Sequence, residues 1–179
     1  MKGIVFTEFL DMVEQQFGEE TMENIIDQAD LESGGAYTAV GSYPAGEMVS
    51  LVQQLSRESG MEVPELLEAF GGFLFQGLHR SYPHFFGEGD IFDFLASIHT
   101  YIHVEVKKLY TDAELPSLIV ESRSDQHIEL IYESPRRMGD LARGLLKASC
   151  QHYQESHITI EEESLTEDGS RVKFTLTRN

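Results

Sequence analysis

Apolar residues recur at intervals of three and four along the first two thirds of the chain. Phe6, Phe9, Leu10, Val13 and Phe17 form one such stripe, and Gly18 follows it, which predicts an amphipathic helix with a glycine stop. A second, short helix is predicted near Thr21 to Ala29. Ser33-Gly34-Gly35-Ala36-Tyr37-Thr38 reads as a loop. Met48, Leu51, Val52 and Leu55 define a third helix closed by Gly60. Pro64 then suits a first helical turn, where its missing N–H is no loss. Leu66, Leu67, Phe70, Phe73, Leu74 and Leu78 continue from it down to Tyr82-Pro83. Asp90 is placed to cap a long helix whose stripe is Ile91, Leu95, Ile98, Ile102 and Leu109.

After Pro116 the period changes. Ser117 to Ser122 and Ile128 to Tyr132 predict strands, Pro135 to Tyr153 a helix, and Ile158 to Glu163 and Val172 to Thr177 two further strands. Asp168-Gly169 supplies a turn signal between the last pair. The expected class is therefore α+β: a helical N-terminal subdomain, then an antiparallel four-stranded sheet with a long helix in the order ββαββ. The 179 residues suit one domain, with the helical part over roughly 1–66 and the rest over 67–179. The helices are too apolar to be one-sided, so something further is expected to pack among them.

Charge narrows the function classes. The chain carries 31 acidic against 13 basic residues, a formal net charge of -18. That field repels phosphate backbones and anionic lipid, so neither nucleic acid nor a membrane is an expected partner. It suits solubility, or the basic face of a partner protein. Cys150 is the sole cysteine, which leaves no internal disulfide and no cysteine-rich zinc site. The opening apolar run is too short for a signal peptide, and no stretch approaches the ~20 apolar residues of a membrane span. A cytoplasmic protein is expected.

Two constellations carry chemistry. In the long helix, His99-Thr-Tyr-Ile-His103 places two imidazoles four residues apart, on one helical face. His103 lies to one side of the apolar stripe, beside Phe92 and Tyr110. Three readings stay open: a hydrogen-bonded boundary histidine, a zinc pair with His99, or an axial haem ligand. A zinc hydrolase lacks its usual glutamate here and has no evident third ligand. An axial ligand needs one neutral imidazole on a rigid element facing an apolar slot. The second constellation is Tyr132-Glu133-Ser134-Pro135-Arg136. If the strand runs on to Arg136, then Tyr132, Ser134 and Arg136 share a face and suit carboxylates. Alternatively Ser134 caps a helix that Pro135 begins, and Arg136 is a solvated charge.

Taken in order, Met1-Lys2-Gly3, Ile102-His103, Pro116 and Tyr132-x-Ser134-x-Arg136 resemble the haem–nitric oxide/oxygen-binding (H-NOX) family, the bacterial relatives of the haem domain of soluble guanylate cyclase. The resemblance covers essentially the whole chain and matches the stand-alone type. It implies haem b held between the two subdomains, with His103 as iron ligand. Tyr132, Ser134 and Arg136 would hold the propionates, and Pro116 would press on the macrocycle. His99 has no role in the family pattern. Relatives that hold dioxygen place a tyrosine where this chain has Leu141, so an apolar distal wall of Val5, Phe9, Leu74 and Leu141 is implied. The function implied is a sensor of nitric oxide, binding carbon monoxide also, and not an enzyme. Its output would pass to a separate histidine kinase or cyclic-di-GMP enzyme. The competing readings are a metal-dependent hydrolase using His99 and His103, and a cofactor-free interaction module.

Overall fold

The predicted helices form where the apolar stripes place them. A computed structural model describes all 179 residues and sets α1 at Gly3–Phe17, α2 at Glu19–Gln28, α3 at Ala45–Ser59 and α4 at Val63–Ser81. Gly60 ends α3 in the left-handed region at φ 74°, a conformation that a Cβ would penalise. Pro64 falls in the first turn of α4, as its chemistry requires. Asp90 caps the next helix, its carboxylate accepting from the Asp93 N–H at 2.9 Å.

That next helix departs from expectation. It is built as α5 (Ile91–Ser97), a π-helical turn (Ile98–Ile102) and α6 (His103–Leu109). Leu109, assigned to the apolar stripe from the sequence, is 63% exposed. The reason is local, and it decides where His103 points.

The second half contains β1 (Ser117–Arg123), β2 (His127–Glu133), α7 (Gly139–His152), β3 (Ile158–Ser164) and β4 (Arg171–Arg178). All strand pairs are antiparallel, in the order β1-β2-β4-β3. This is the expected α+β architecture with ββαββ order. β3 is an edge strand and carries Glu161, Glu162 and Glu163 in succession. Asp168-Gly169 lies in the longer connection 165–170, where Gly169 donates to the Thr166 carbonyl at 3.2 Å. No helix is long and apolar enough to cross a membrane.

Two hydrophobic clusters fill the interior. One gathers α1, α3 and the first part of α4, with Phe6, Phe9, Met48, Leu55, Phe70 and Leu74 buried. The other lies between α5, α7 and the sheet, with Phe75, Phe92, Leu95, Leu130, Tyr132 and Phe174. Each such side chain contributes roughly 1.5–3 kcal/mol by leaving water. The clusters meet along α4 and α7: Leu74 belongs to the first and Phe75 to the second, and Leu141 and Leu146 divide likewise. Between these helices, Gly71 faces Gly144 with no side chain intervening; a Cβ on Gly71 would lie 2.7 Å from the Gly144 Cα.

Candidate functional site

The largely apolar space between the two clusters consists of two adjoining lobes, with cavity volumes of about 230 and 250 Å³. They share a seam of lining residues: Lys2, Val5, Ile98, His103, Leu115, Leu145 and Ser149. The first lobe adds Leu74, Pro116, Tyr132, Ser134, Arg136 and Leu141. The second adds the aromatic rings of Phe75, Tyr82, Phe86, Phe94 and Tyr110.

His103 reaches the seam because of the π turn. Its own N–H donates to the Ile98 carbonyl, five residues back, where an α-helix would use the residue four back. One extra residue in a turn advances everything after it by about 100°. In an unbroken helix the stripe Ile91, Leu95, Ile98 would continue to Ile102, Glu105 and Leu109. With the insertion it continues to His103, Val106 and Tyr110. Those three line the cavity, and Leu109 turns outward. His99 lines neither lobe, and its ring centroid stands 6.3 Å from that of His103.

The electrostatics suit a neutral ligand. His103 Nδ1 is buried without a hydrogen-bond partner. Burial, reinforced by the nearby His99 and Lys107, lowers its pKa to about 4, against the opposing pull of the Pro116 carbonyl. No group of three or more His, Cys, Asp or Glu side chains is arranged to hold a metal ion.

Tyr132, Ser134 and Arg136 meet at the first lobe, but by neither local route read from the sequence. β2 ends at Glu133 and α7 begins only at Gly139, so the strand does not reach Arg136 and Pro135 does not start the helix. Instead residues 134–137 turn. The Arg137 N–H donates to the Ser134 carbonyl at 3.2 Å, and Arg137 takes φ 56°. The Ser134 hydroxyl accepts from the Arg136 N–H at 3.2 Å, and the Tyr132 hydroxyl accepts from the Met138 N–H at 3.3 Å. Both hydroxyls act as acceptors in these bonds, so neither bond consumes a hydroxyl proton. Burial raises the Tyr132 pKa, so the phenol stays protonated. Arg136 Nη2 donates to the Glu114 carbonyl oxygen at 2.6 Å, which fixes the guanidinium at the lobe's edge.

Of the wall residues, Val5, Leu74 and Leu141 line the first lobe. Phe9 does not line either lobe. It is fully buried behind the wall, edge-on to Phe70 with ring centroids 5.1 Å apart. Sequence reading missed Leu145 and Ser149, both on the seam. Helical spacing of four and eight residues from Leu141 was the signal that pointed to them. The residues present fit haem: one neutral imidazole with an unpartnered nitrogen, apolar walls, and three convergent donors for carboxylates.

Comparison with known proteins gives the same picture. The sequence pattern described as Haem-NO-binding matches residues 2–162. The chain is 42% identical to the Fe(II) unliganded H-NOX protein from K. algicida, with TM-score 0.94, covering 100% of this chain and 97% of that one. It is 30% identical to an H-NOX protein from S. oneidensis in the Fe(II)NO ligation state, with TM-score 0.88, covering 100% of this chain and 99% of that one. It is also 24% identical over 171 residues to the soluble guanylate cyclase gcy-35 of Caenorhabditis elegans; that match takes in 90% of this chain and 24% of the cyclase, so the chain spans about a quarter of that relative's length.

Proposed function

The chain belongs to the haem-NO-binding family, and on that premise we propose that it is a haem b-based sensor of nitric oxide rather than an enzyme. The observation that carries the reading is His103: a buried, neutral imidazole with an unpartnered nitrogen, turned by the π turn onto the seam of an apolar cavity. Haem, when bound, supplies an iron to which a diatomic gas can attach. His103 holds that iron, Tyr132, Ser134 and Arg136 hold the propionates, and Pro116 bears on the macrocycle from the first lobe.

Selectivity follows from the opposite wall. Bound dioxygen gathers negative charge and depends on a strong donor, whereas nitric oxide and carbon monoxide depend on one far less. Val5, Leu74 and Leu141 offer hydrocarbon only, and no tyrosine stands at 141. Nitric oxide and carbon monoxide are thus favoured over dioxygen. The output passes to a separate cytoplasmic protein, a histidine kinase or a cyclic-di-GMP enzyme.

Purified protein loaded with haem tests the reading directly. A Soret band is expected, with ferrous nitrosyl and carbonyl spectra and no persistent oxy spectrum in air. His103→Ala is expected to lose haem retention, with recovery on adding imidazole, while His99→Ala keeps it. Equal haem content and unchanged ferrous spectra in His103→Ala remove the iron assignment.

A further inference from the structure

Among the seven residues of the seam, only Lys2, His103 and Ser149 carry polar side chains. The Lys2 ammonium is committed elsewhere: it donates to the Val40 carbonyl at 2.8 Å and to Ser42 Oγ at 3.1 Å, and pairs with Asp112 at 3.4 Å. Ser149 is therefore the one hydroxyl on the seam that bears His103. It is 2% exposed and extends the α7 stripe Leu141, Leu145, Ser149 along the cavity.

We propose that Ser149 is a specificity-tuning residue whose hydroxyl donates a hydrogen bond to the gas bound on the side away from His103, which the α7 stripe through Leu141 and Leu145 lines, an inference that rests on the haem reading above. Its proton is now directed at the Leu145 carbonyl, 2.8 Å away. That carbonyl is four residues back in α7, so helix geometry already supplies it with the Ser149 backbone N–H. Turning the hydroxyl toward the cavity leaves no buried acceptor unpaired, because the backbone N–H still serves that carbonyl. The hydroxyl thus has two acceptors between which it can move, one in the helix and one in the cavity. A donor shared in this way is weaker than a phenol aimed solely at the ligand. It polarises a bound gas without holding dioxygen firmly, which keeps the proposed selectivity intact.

The stretching vibration of carbon monoxide on the reduced, haem-loaded protein reads this contact directly, because a donor to the oxygen lowers the frequency. In wild-type protein the band is expected to shift on exchange from H2O to D2O. In Ser149→Ala it is expected to move to higher frequency and lose its deuterium sensitivity, and Ser149→Thr, which keeps the hydroxyl, should restore both. Thermal melting of the haem-free variants gives an independent readout, and unchanged midpoints are expected if Ser149 serves the ligand rather than the fold. A wild-type band that ignores deuterium, or one that Ser149→Ala leaves in place, overturns the proposal. If Ser149→Ala takes up no haem, the deuterium shift of the wild-type band decides alone. Absence of a Soret band in wild type overturns the haem reading and this inference with it, whereas a normal Soret band with an unmoved stretch overturns this inference only.

Discussion

At the scale of single residues, two neighbouring arginines separate a site role from a surface role. Arg136 is held at the first lobe by the Glu114 carbonyl, whereas Arg137 pairs with Asp168 at 3.2 Å, both side chains largely in water. Removing a charged donor from a desolvated carboxylate costs roughly 1–3 kcal/mol, or about tenfold to a hundredfold in retention. Arg136→Ala is therefore expected to release haem to an acceptor protein much faster than wild type, and Arg137→Ala to match wild type; equal rates for the two variants would count against the propionate role. A second residue speaks to stability. Glu8 is 9% exposed, with its carboxylate pressed on Gly77 of α4 and paired with Arg80 at 3.2 Å. Burial, the dominant cause, raises its pKa above the usual 4.5 despite Arg80. A carboxyl with a raised folded pKa favours folding most when protonated, and that contribution is lost as pH rises through the folded value. Glu8→Gln is thus expected to raise the denaturant midpoint at pH 7.5 and to change it less at pH 5. The opposite order would show that the Arg80 pair outweighs burial.

Among the elements, the π turn is the one with the largest consequence for the site. If it sets the phase of His103, adding one alanine after Thr100 should rotate the imidazole by a further ~100° and abolish haem retention. Deleting Thr100 should convert the turn to α-helix and leave His103 facing the cavity, so that haem is kept. Retention after the insertion, or loss after a deletion that still folds, would refute the phase argument. This turn also marks what the sequence could and could not tell. Apolar periodicity sufficed for α1, α3, α4 and the four strands, because each is stabilised by one buried face that its own residues encode. The same rule misplaced Leu109, since a hydrogen bond to the fifth residue back leaves no trace in a hydrophobic pattern. Tyr132, Ser134 and Arg136 were legible as a set through the family resemblance. Their convergence was read by strand alternation, but its actual route was not legible, because the turn at 134–137 depends on the Ser134 N–H pairing with the Ser170 carbonyl at 2.9 Å, from a distant strand end. Phe9 was assigned to the distal wall through the resemblance, whereas packing edge-on to Phe70 sets it behind that wall, a distinction that no pattern along the chain encodes.

For the molecule as a whole, α4 and α7 are the common wall of both cores. Gly71 and Gly144 let their backbones touch, and a Cβ on Gly144 would strike the Glu68 carbonyl and lie 2.9 Å from the Gly71 Cα. Neither neighbour is a flexible side-chain end, so the helices themselves must part. Gly144→Ala is expected to cost about 1–3 kcal/mol, whereas Gly72→Ala, which meets open space on α4, should gain up to ~1 kcal/mol from helix propensity. Equal melting temperatures for the two variants would exclude a tight crossing.

The edge strand β3 has a bearing on how copies of this chain behave together. An unpaired edge is a template on which another chain can add a strand, and three successive glutamates make such an addition repulsive at neutral pH. That protection is ionic rather than steric. It weakens as the solution approaches the isoelectric point near 4.6, where the chain as a whole loses its mutual repulsion too. Mild acid therefore removes colloidal protection and edge protection together, and sheet-to-sheet aggregation from β3 becomes the natural fate of concentrated protein there, without any need for the cores to open.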